Sequence, residues 1–215
     1  MSDNIKFALL NSKVEKLYQE NKSTLLFHGW HHITFVMRKA IEFSDAIQAE
    51  TDIVKAAAIT HDLNYIVKPN SEPEEAKPLR SQLLSESGYS PTEIQRIESI
   101  VMEAHTGTRG AQISEEGKAL SDADTLFKSL PTTPILFASK YITQNKVDIY
   151  KLAEKVTSEQ NPLMEQDIYF YTDVAKKKYL SWAKANLQVW NYVKDSFNDP
   201  DVQEMLDTAK AAGIL

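Results

Sequence analysis

The sequence predicts an all-α protein, and three observations support that prediction. Apolar residues recur every three or four positions over most of the 215 residues, as they do on one face of an amphipathic helix. Glycine and proline are rare, at 6 and 8 residues, and fall at the expected breaks between helices. No convincing strand pattern, internal repeat or low-complexity tract is present. A chain of this length can bury a substantial core, so we expect a compact bundle of many helices.

The first helices follow directly from the apolar pattern. It places them over residues 5–20, 29–48 and 51–65. A loop is expected from Lys68 to Lys77, because this segment combines prolines with several glutamates. A further helix is expected over residues 78–87.

The second half of the chain carries clearer start signals. Ser90 as N-cap, Pro91 at the first helical position and Glu93 at the third form a capping box, and the helix they open should stop at Gly107. Further helices should begin at Ser114 and Thr133, and a long C-terminal helix should run from Leu163 to about Phe197.

Composition and charge exclude several classes of protein. Cysteine is absent, which removes disulfides, thiolate metal sites and a cysteine nucleophile. No apolar run approaches the ~20 residues that a membrane span needs, and residues 1–4 do not resemble a signal peptide, so we predict a cytoplasmic protein without membrane partners. The net charge of −6 argues against non-specific nucleic-acid binding but is compatible with a local basic pocket for one phosphate group.

Four residues are predicted to lie on the apolar faces of helices although they are polar: His32, His61, Asp62 and Asp124. An ionised carboxylate is costly to bury alone, so the pattern implies a cation, a hydrogen-bond network or a wrong helix assignment. Two neutral imidazoles and two carboxylates would hold one divalent transition metal ion (Fe, Mn, Ni, Co or Zn) with a net charge near zero and open coordination positions. For each residue alone, helix capping or the helix dipole is an adequate alternative.

Three ordered segments resemble the motifs of the HD-domain metal-dependent phosphohydrolases. Residues 28–36 contain a histidine, His32, followed four residues later by Val36, residues 61–65 begin with the His-Asp doublet that closes an alanine-rich helix, and residues 121–126 contain Asp-Ala-Asp-x-Leu. The resemblance implies a single all-helical HD domain over residues 1–215, with the motif-bearing core at about 28–127 and a C-terminal helical extension at about 133–215.

The same resemblance implies the roles of the four residues. His32, His61, Asp62 and Asp124 would hold the metal, and Asp62 would also lie beside the attacking water, where it could accept its proton or bridge to a second ion. The two-metal HD phosphodiesterases carry further histidines between the doublet and the third motif, whereas this chain has only His105 there. A mononuclear centre is therefore expected. Cleavage of cyclic dinucleotides, which resembles the two-metal branch, becomes a less favoured activity. The spacing is closer to the small stand-alone bacterial HD hydrolases, some of which act on nucleotides.

Other residues leave alternatives open. His105 either contacts the substrate and protonates the leaving group or is an ordinary core histidine. His28 lies one turn before His32 and could touch the metal, hydrogen-bond a ligand or begin the helix, and its spacing mimics a zinc peptidase, but Gly29 stands where that site needs glutamate. Asp122 competes with Asp124 as fourth ligand, and the family pattern favours Asp124.

Four cations beside the motifs are predicted to bind the phosphate of a substrate, with solvated surface as the alternative for each: Arg109, Lys68, Arg80 and Lys118. Arg109 is preferred because it lies in a short loop between glycines and a guanidinium can bind two phosphate oxygens at once.

The expected function is that of a metal-dependent phosphohydrolase that cleaves a phosphoester or phosphoanhydride in a small, nucleotide-like substrate. Mg²⁺ could arrive as a further ion with the substrate. The alternative is a non-catalytic HD module that keeps the metal to hold helices together and binds a ligand or a partner protein. Base, sugar, number of phosphates and oligomeric state are not specified by the sequence.

Overall fold

The computed structural model describes residues 2–69, 71–105, 107 and 109–214, and every regular element in these ranges is helical. The α-helices, in chain order, are α1 Asp3–Glu20, α2 Trp30–Ile47, α3 Thr51–Thr60, α4 Asn64–Val67, α5 Lys77–Glu86, α6 Pro91–Glu103, α7 Glu115–Ser129, α8 Thr133–Leu136, α9 Ala138–Asn145, α10 Ile149–Glu165, α11 Asp173–Ser196 and α12 Pro200–Ala211. The all-α prediction is confirmed.

Local start signals are confirmed where they were strongest. The Ser90 side chain accepts from the backbone N–H of Glu93, and the Glu93 carboxylate accepts from the backbone N–H of Ser90, so the predicted capping box is formed in full. Ser114 likewise caps α7 by accepting from Gly117 N–H. The third predicted helix, in contrast, ends at Thr60 and is followed by a turn and the short α4.

The prediction of one long helix from Leu163 to Phe197 is wrong. Helix α10 ends at Glu165, and α11 begins at Asp173 with Thr172 as its N-cap. Asp167 adopts a left-handed backbone conformation (φ 55°), which ends the helical path. The backbone then turns so that α10 packs against α11. Helix α12 was not anticipated.

The core is built around α2, which packs mainly against α7 and α3. Ile33, Val36 and Phe43 of α2 are fully buried, and so are three consecutive alanines of α3, residues 56–58. The small alanine side chains let neighbouring helices approach α3 closely. A second, smaller apolar cluster contains Leu152, Ala153 and Trp190, so α10 and α11 form a packed unit of their own against the motif-bearing core.

No helix within the described ranges is both long and apolar enough to cross a membrane.

Candidate metal centre

Three helical segments converge to bring the four predicted ligands together. Helix α2 supplies His32, the end of α3 supplies His61 and Asp62, and α7 supplies Asp124. His32 Nε2 lies 3.3 Å from His61 Nε2 and 3.0 Å from Asp62 Oδ2, and His61 Nε2 lies 3.3 Å from the same carboxylate oxygen. Asp124 Oδ1 lies 3.5 Å from His32 Nε2 and 4.0 Å from His61 Nε2. The candidate ligands are therefore brought together from positions up to 92 residues apart, and helices α4, α5 and α6 lie between α3 and α7 in the sequence.

The backbone of α3 sets the tautomer of His61. Its Nδ1 lies 2.7 Å from the carbonyl oxygen of Ala58, which can only accept, so Nδ1–H donates this hydrogen bond. In the neutral ring Nε2 is then unprotonated and directs its lone pair at His32 and Asp62. Outer hydrogen bonds of this kind orient the imidazoles that bind metals.

The charges of the cluster stabilise one another. Burial opposes ionisation of Asp62, but His61 and His32 outweigh it and hold the pKa of Asp62 well below its usual range. Burial would lower the pKa of His61, yet the adjacent carboxylates of Asp62 and Asp124 raise it. For Asp124, the opposing effect of burial is outweighed by Lys128 and His32, which lower its pKa. Both carboxylates are thus anionic at neutral pH and able to bind a cation.

The donor set fits a divalent ion. Metal–ligand bonds of about 2.1 Å place neighbouring ligand atoms roughly 3 Å apart. The contacts among His32, His61 and Asp62, at 3.0–3.3 Å, match that spacing, and these three residues can each offer one ligand atom to a common point. Two nitrogens and carboxylate oxygens suit a first-row transition metal. Asp124 Oδ1 lies slightly farther from the two imidazole nitrogens, at 3.5 and 4.0 Å.

The cluster borders a cavity of about 560 Å³. His61, Asp62 and Asp124 line one part of it, and helices α9 to α11 line another. His105 lines it as well; it lies just after the end of α6, and its side chain is 41% exposed, so it is not a core histidine. Its Nε2 lies 3.4 Å from Glu72 Oε2.

Comparison of the sequence with protein-family models and with curated proteins finds no match. Solved structures do match. The chain shares its fold with Bacillus subtilis YpgQ. The crystal structure of YpgQ in complex with ADP is 19% identical in sequence and superposes with a TM-score of 0.60, covering 89% of this chain and 97% of YpgQ. A second crystal structure of YpgQ, at 18% identity, gives a TM-score of 0.58 over the same shares of the two chains.

A structural-genomics target from Lactobacillus plantarum is similar to the same extent. It is 17% identical, with a TM-score of 0.62 over 90% of this chain and 95% of the other. At 17–19% identity, the similarity of the chain to YpgQ and to the Lactobacillus plantarum protein is a similarity of fold. The activity of the chain has to be argued from its own residues.

The structure corrects the prediction that Arg109 binds phosphate. Its side chain is 2% exposed, and Nη1 donates to Asp122 Oδ1 at 2.9 Å. Nη2 donates to the carbonyl oxygen of Ser121 at 2.9 Å and also bonds the Thr125 hydroxyl. A guanidinium with these partners is held inside the protein and does not line the cavity. The sequence could not show this because the loop around Arg109 resembles an exposed one.

The same network separates Asp122 from Asp124. Asp122 is fully buried and accepts from the backbone N–H of Tyr171 at 2.8 Å and of Thr172 at 2.7 Å, and from the Thr172 hydroxyl at 2.8 Å. Burial raises its pKa although Arg109 and these donors oppose the shift. Asp122 therefore ties α7 to the start of α11, and Asp124 is the aspartate that faces the histidines.

Arg80 is corrected for the same physical reason. The residue is fully buried, and its Nη2 donates to Glu98 Oε2 at 2.8 Å and to the Pro73 carbonyl at 3.1 Å, while Nη1 donates to the Thr60 carbonyl at 3.3 Å. Arg80 thus joins α5 to α6 and to the end of α3.

The two predicted lysines lie away from the cavity lining. Lys68 is 65% exposed and pairs with Glu75 at 3.7 Å, and Lys118 pairs with Glu115 one turn earlier on α7. Both match the alternative of solvated surface. None of the four cations predicted to bind phosphate is brought to the metal cluster.

His28 lines the cavity, but its ring contacts Tyr65 and Gln144 and not the candidate metal-binding atoms. Its ring stacks on Tyr65 with centroids 3.7 Å apart, and its Nδ1 lies 2.7 Å from Gln144 Nε2, which donates to it. Burial lowers the pKa of His28 to about 3, so the ring is neutral. His28 therefore supports the wall beside His32, whose ring centroid is 5.8 Å away.

Sequence reasoning missed Lys128 and the wall formed by the C-terminal helices. Lys128 follows Asp124 by one helical turn, a spacing that could have indicated an ion pair. Its Nζ lies 2.6 Å from Asp124 Oδ2. Burial opposes its charge, but Asp124 outweighs burial and raises the pKa of Lys128. The wall residues Tyr141, Leu152 and Trp190 gave no signal, because only packing brings α9 to α11 to the site.

Proposed function

We propose that the protein is a metal-dependent phosphohydrolase that cleaves a phosphoester or phosphoanhydride in a small, nucleotide-like substrate. The observation that carries the proposal is the convergence of His32 with His61, Asp62 and Asp124, the last three of which line a cavity of about 560 Å³. Sites for small molecules span roughly 300–1,000 Å³. The ADP complex of YpgQ supports nucleotides as the first substrates to test.

His32, His61, Asp62 and Asp124 would hold a divalent transition metal. When bound, such an ion polarises a phosphate oxygen and lowers the pKa of the attacking water. The chain supplies the orientation: Ala58 fixes the ring of His61, and Lys128 fixes one oxygen of Asp124. Asp62 lines the cavity, so its carboxylate can accept a proton from the water. His105 lines the same cavity and can donate a proton to the leaving group.

The test joins metal analysis to a substrate panel. The purified protein is analysed for metal, loaded with Mn²⁺, Fe²⁺, Co²⁺, Ni²⁺ or Zn²⁺, and offered nucleoside mono-, di- and triphosphates, sugar phosphates and cyclic nucleotides. We expect metal-dependent release of phosphate or pyrophosphate from members of the panel, or conversion of a cyclic nucleotide to its monophosphate. A metal-loaded protein that forms none of these products from any compound would reject the hydrolase and favour a ligand-binding HD module.

His105→Ala should retain metal but lose activity. The residue borders the cavity and does not belong to the cluster of His32, His61 and Asp62, so occupancy should stay at the wild-type level. If the imidazole protonates the leaving group, turnover should fall on the order of 10²–10⁴-fold. Steady-state kinetics on the best substrate, with metal content measured on the same sample, decide the matter. Unchanged turnover would remove His105 from the mechanism.

A further inference from the structure

Lys128 carries a positive charge next to the metal cluster. It follows Asp124 by one turn of α7, and its Nζ lies 2.6 Å from Asp124 Oδ2. The other oxygen of the same carboxylate, Oδ1, faces His32 at 3.5 Å. The ammonium group is therefore bound to the outer oxygen of a predicted ligand and reaches the cavity that the ligands line.

The position of Lys128 is fixed by the fold. Its carbonyl oxygen accepts a hydrogen bond of 2.9 Å from Asn186 Nδ2, and Asn186 is fully buried on α11. The side chain is 34% exposed, which leaves its charged end accessible from the cavity. A pre-positioned cation loses little conformational freedom when an anion binds.

The cavity offers few other cations. Among its described lining residues the positively charged side chains are Lys128 and Lys155. Lys155 is half exposed and pairs with Glu159 one turn further along α10. Lys128 is consequently the cation that lies beside the metal ligands.

The remainder of the cavity has a different chemistry. Tyr141, Leu152 and Trp190 line it from α9, α10 and α11. Leu152 and Trp190 belong to the second apolar cluster, so this wall is rigidly packed from behind. A volume of about 560 Å³ is far larger than a phosphate group requires. The space and its apolar lining suit an organic group attached to the phosphate.

We propose that Lys128 binds the reacting phosphate group of the substrate and that Tyr141, Leu152 and Trp190 contact its organic part. The proposal rests on the proposed function and names the residues that would bind the phosphate group and the organic part of its substrate. In this proposal Lys128 binds the phosphate group, the role predicted from the sequence for Arg109, Lys68, Arg80 and Lys118. Both halves of the proposal are testable by binding alone.

The first experiment measures binding of inorganic phosphate to the Mn²⁺-loaded protein by calorimetry. Lys128→Gln should weaken binding roughly ten- to a hundredfold, because a charge-assisted hydrogen bond is lost, while Mn²⁺ content stays unchanged. Lys128→Arg should retain most of the affinity. The matched control is Lys118→Gln, which removes a lysine of the same helix, also paired one turn away, that does not line the cavity. It should bind phosphate like the wild type.

Two results would overturn the role of Lys128. Loss of Mn²⁺ from Lys128→Gln would mean that the lysine only orients Asp124 for the metal. Wild-type phosphate affinity in Lys128→Gln with full Mn²⁺ content would mean that the phosphate group lies elsewhere.

The second experiment compares phenylphosphonate with methylphosphonate, whose P–C bonds resist hydrolysis. In a Trp30→Phe, Trp182→Phe protein, Trp190 is the remaining tryptophan of the three in the chain. Phenylphosphonate should bind more tightly than methylphosphonate and should change the emission of Trp190, because its ring contacts the apolar wall. Equal affinities together with unchanged emission at saturation would reject the wall as the site of the organic group.

These outcomes are separable from those of the hydrolase test. Binding that depends on Lys128 in a protein without hydrolytic activity would reject the proposed function and keep this inference. Hydrolysis that proceeds with normal KM in Lys128→Gln would keep the function and reject the inference.

Discussion

Replacement of His61 or Asp62 by alanine is expected to remove the bound metal and to abolish hydrolysis together. His61 Nε2 and Asp62 Oδ2 lie within 3.3 Å of each other and of His32 Nε2, so each variant deletes one of the three closest ligand atoms. Metal affinity and the activity that depends on it are then lost at the same step. Metal content by mass spectrometry and product release, measured on one preparation, check the expectation.

A matched control is His31→Ala. This histidine is adjacent to His32 but is exposed, and its ring stacks on Phe137 with centroids 5.0 Å apart. Its replacement should leave both metal content and hydrolysis unchanged. Wild-type metal occupancy in both His61→Ala and Asp62→Ala would contradict the assignment of the centre.

Arg80→Ala is expected to destabilise the protein by about 3–5 kcal/mol without any specific effect on phosphate binding. The change leaves the Glu98 carboxylate buried without its cation and leaves the Thr60 and Pro73 carbonyls without this donor. For a chain of this size the loss corresponds to a fall in Tm of roughly 10 °C. Thermal unfolding monitored by circular dichroism measures it.

Arg96→Ala provides the comparison, because Arg96 is likewise ion-paired, with Glu50 and Glu116, but its side chain is 45% exposed. Water screens such pairs, so the loss should stay below about 1 kcal/mol. An Arg80→Ala protein with the Tm of the wild type and weakened phosphate affinity would restore the sequence-based role of Arg80. Replacing Arg80 and Glu98 together by apolar residues should recover part of the lost stability, since no buried charge is then left unpaired.

The position of the cavity has a consequence for the C-terminal helices. The motif-bearing core supplies the candidate metal ligands, whereas α9 to α11 supply Tyr141, Leu152 and Trp190. The network of Asp122, Arg109 and Thr172 holds the start of α11 in place against α7. Arg109, which was predicted to bind phosphate, is therefore part of the network that positions the cavity wall proposed to contact the organic group.

The sequence by itself determined the fold class and the start of several helices, and it predicted which four residues converge at the candidate metal centre. These are local properties: Ser90 and Glu93 cap α6 through bonds within one turn, and the apolar period specifies α1 and α2 without reference to the rest of the chain. The ligands were visible for a related reason. A histidine or an aspartate on an apolar face requires a partner, so each polar residue in such a pattern marks a site.

Tertiary structure alone decided which charged residues reach the cavity. Arg80 and Arg109 gave the same local signal as exposed arginines, but Glu98 on α6 and Asp122 on α7 bind them inside the protein. Lys128 reaches the site only because α7 directs Asp124 at His32. The break between α10 and α11 likewise depends on packing against α7. Contacts between residues distant in the chain set burial and pairing, and the period of a single helix carries no information about them.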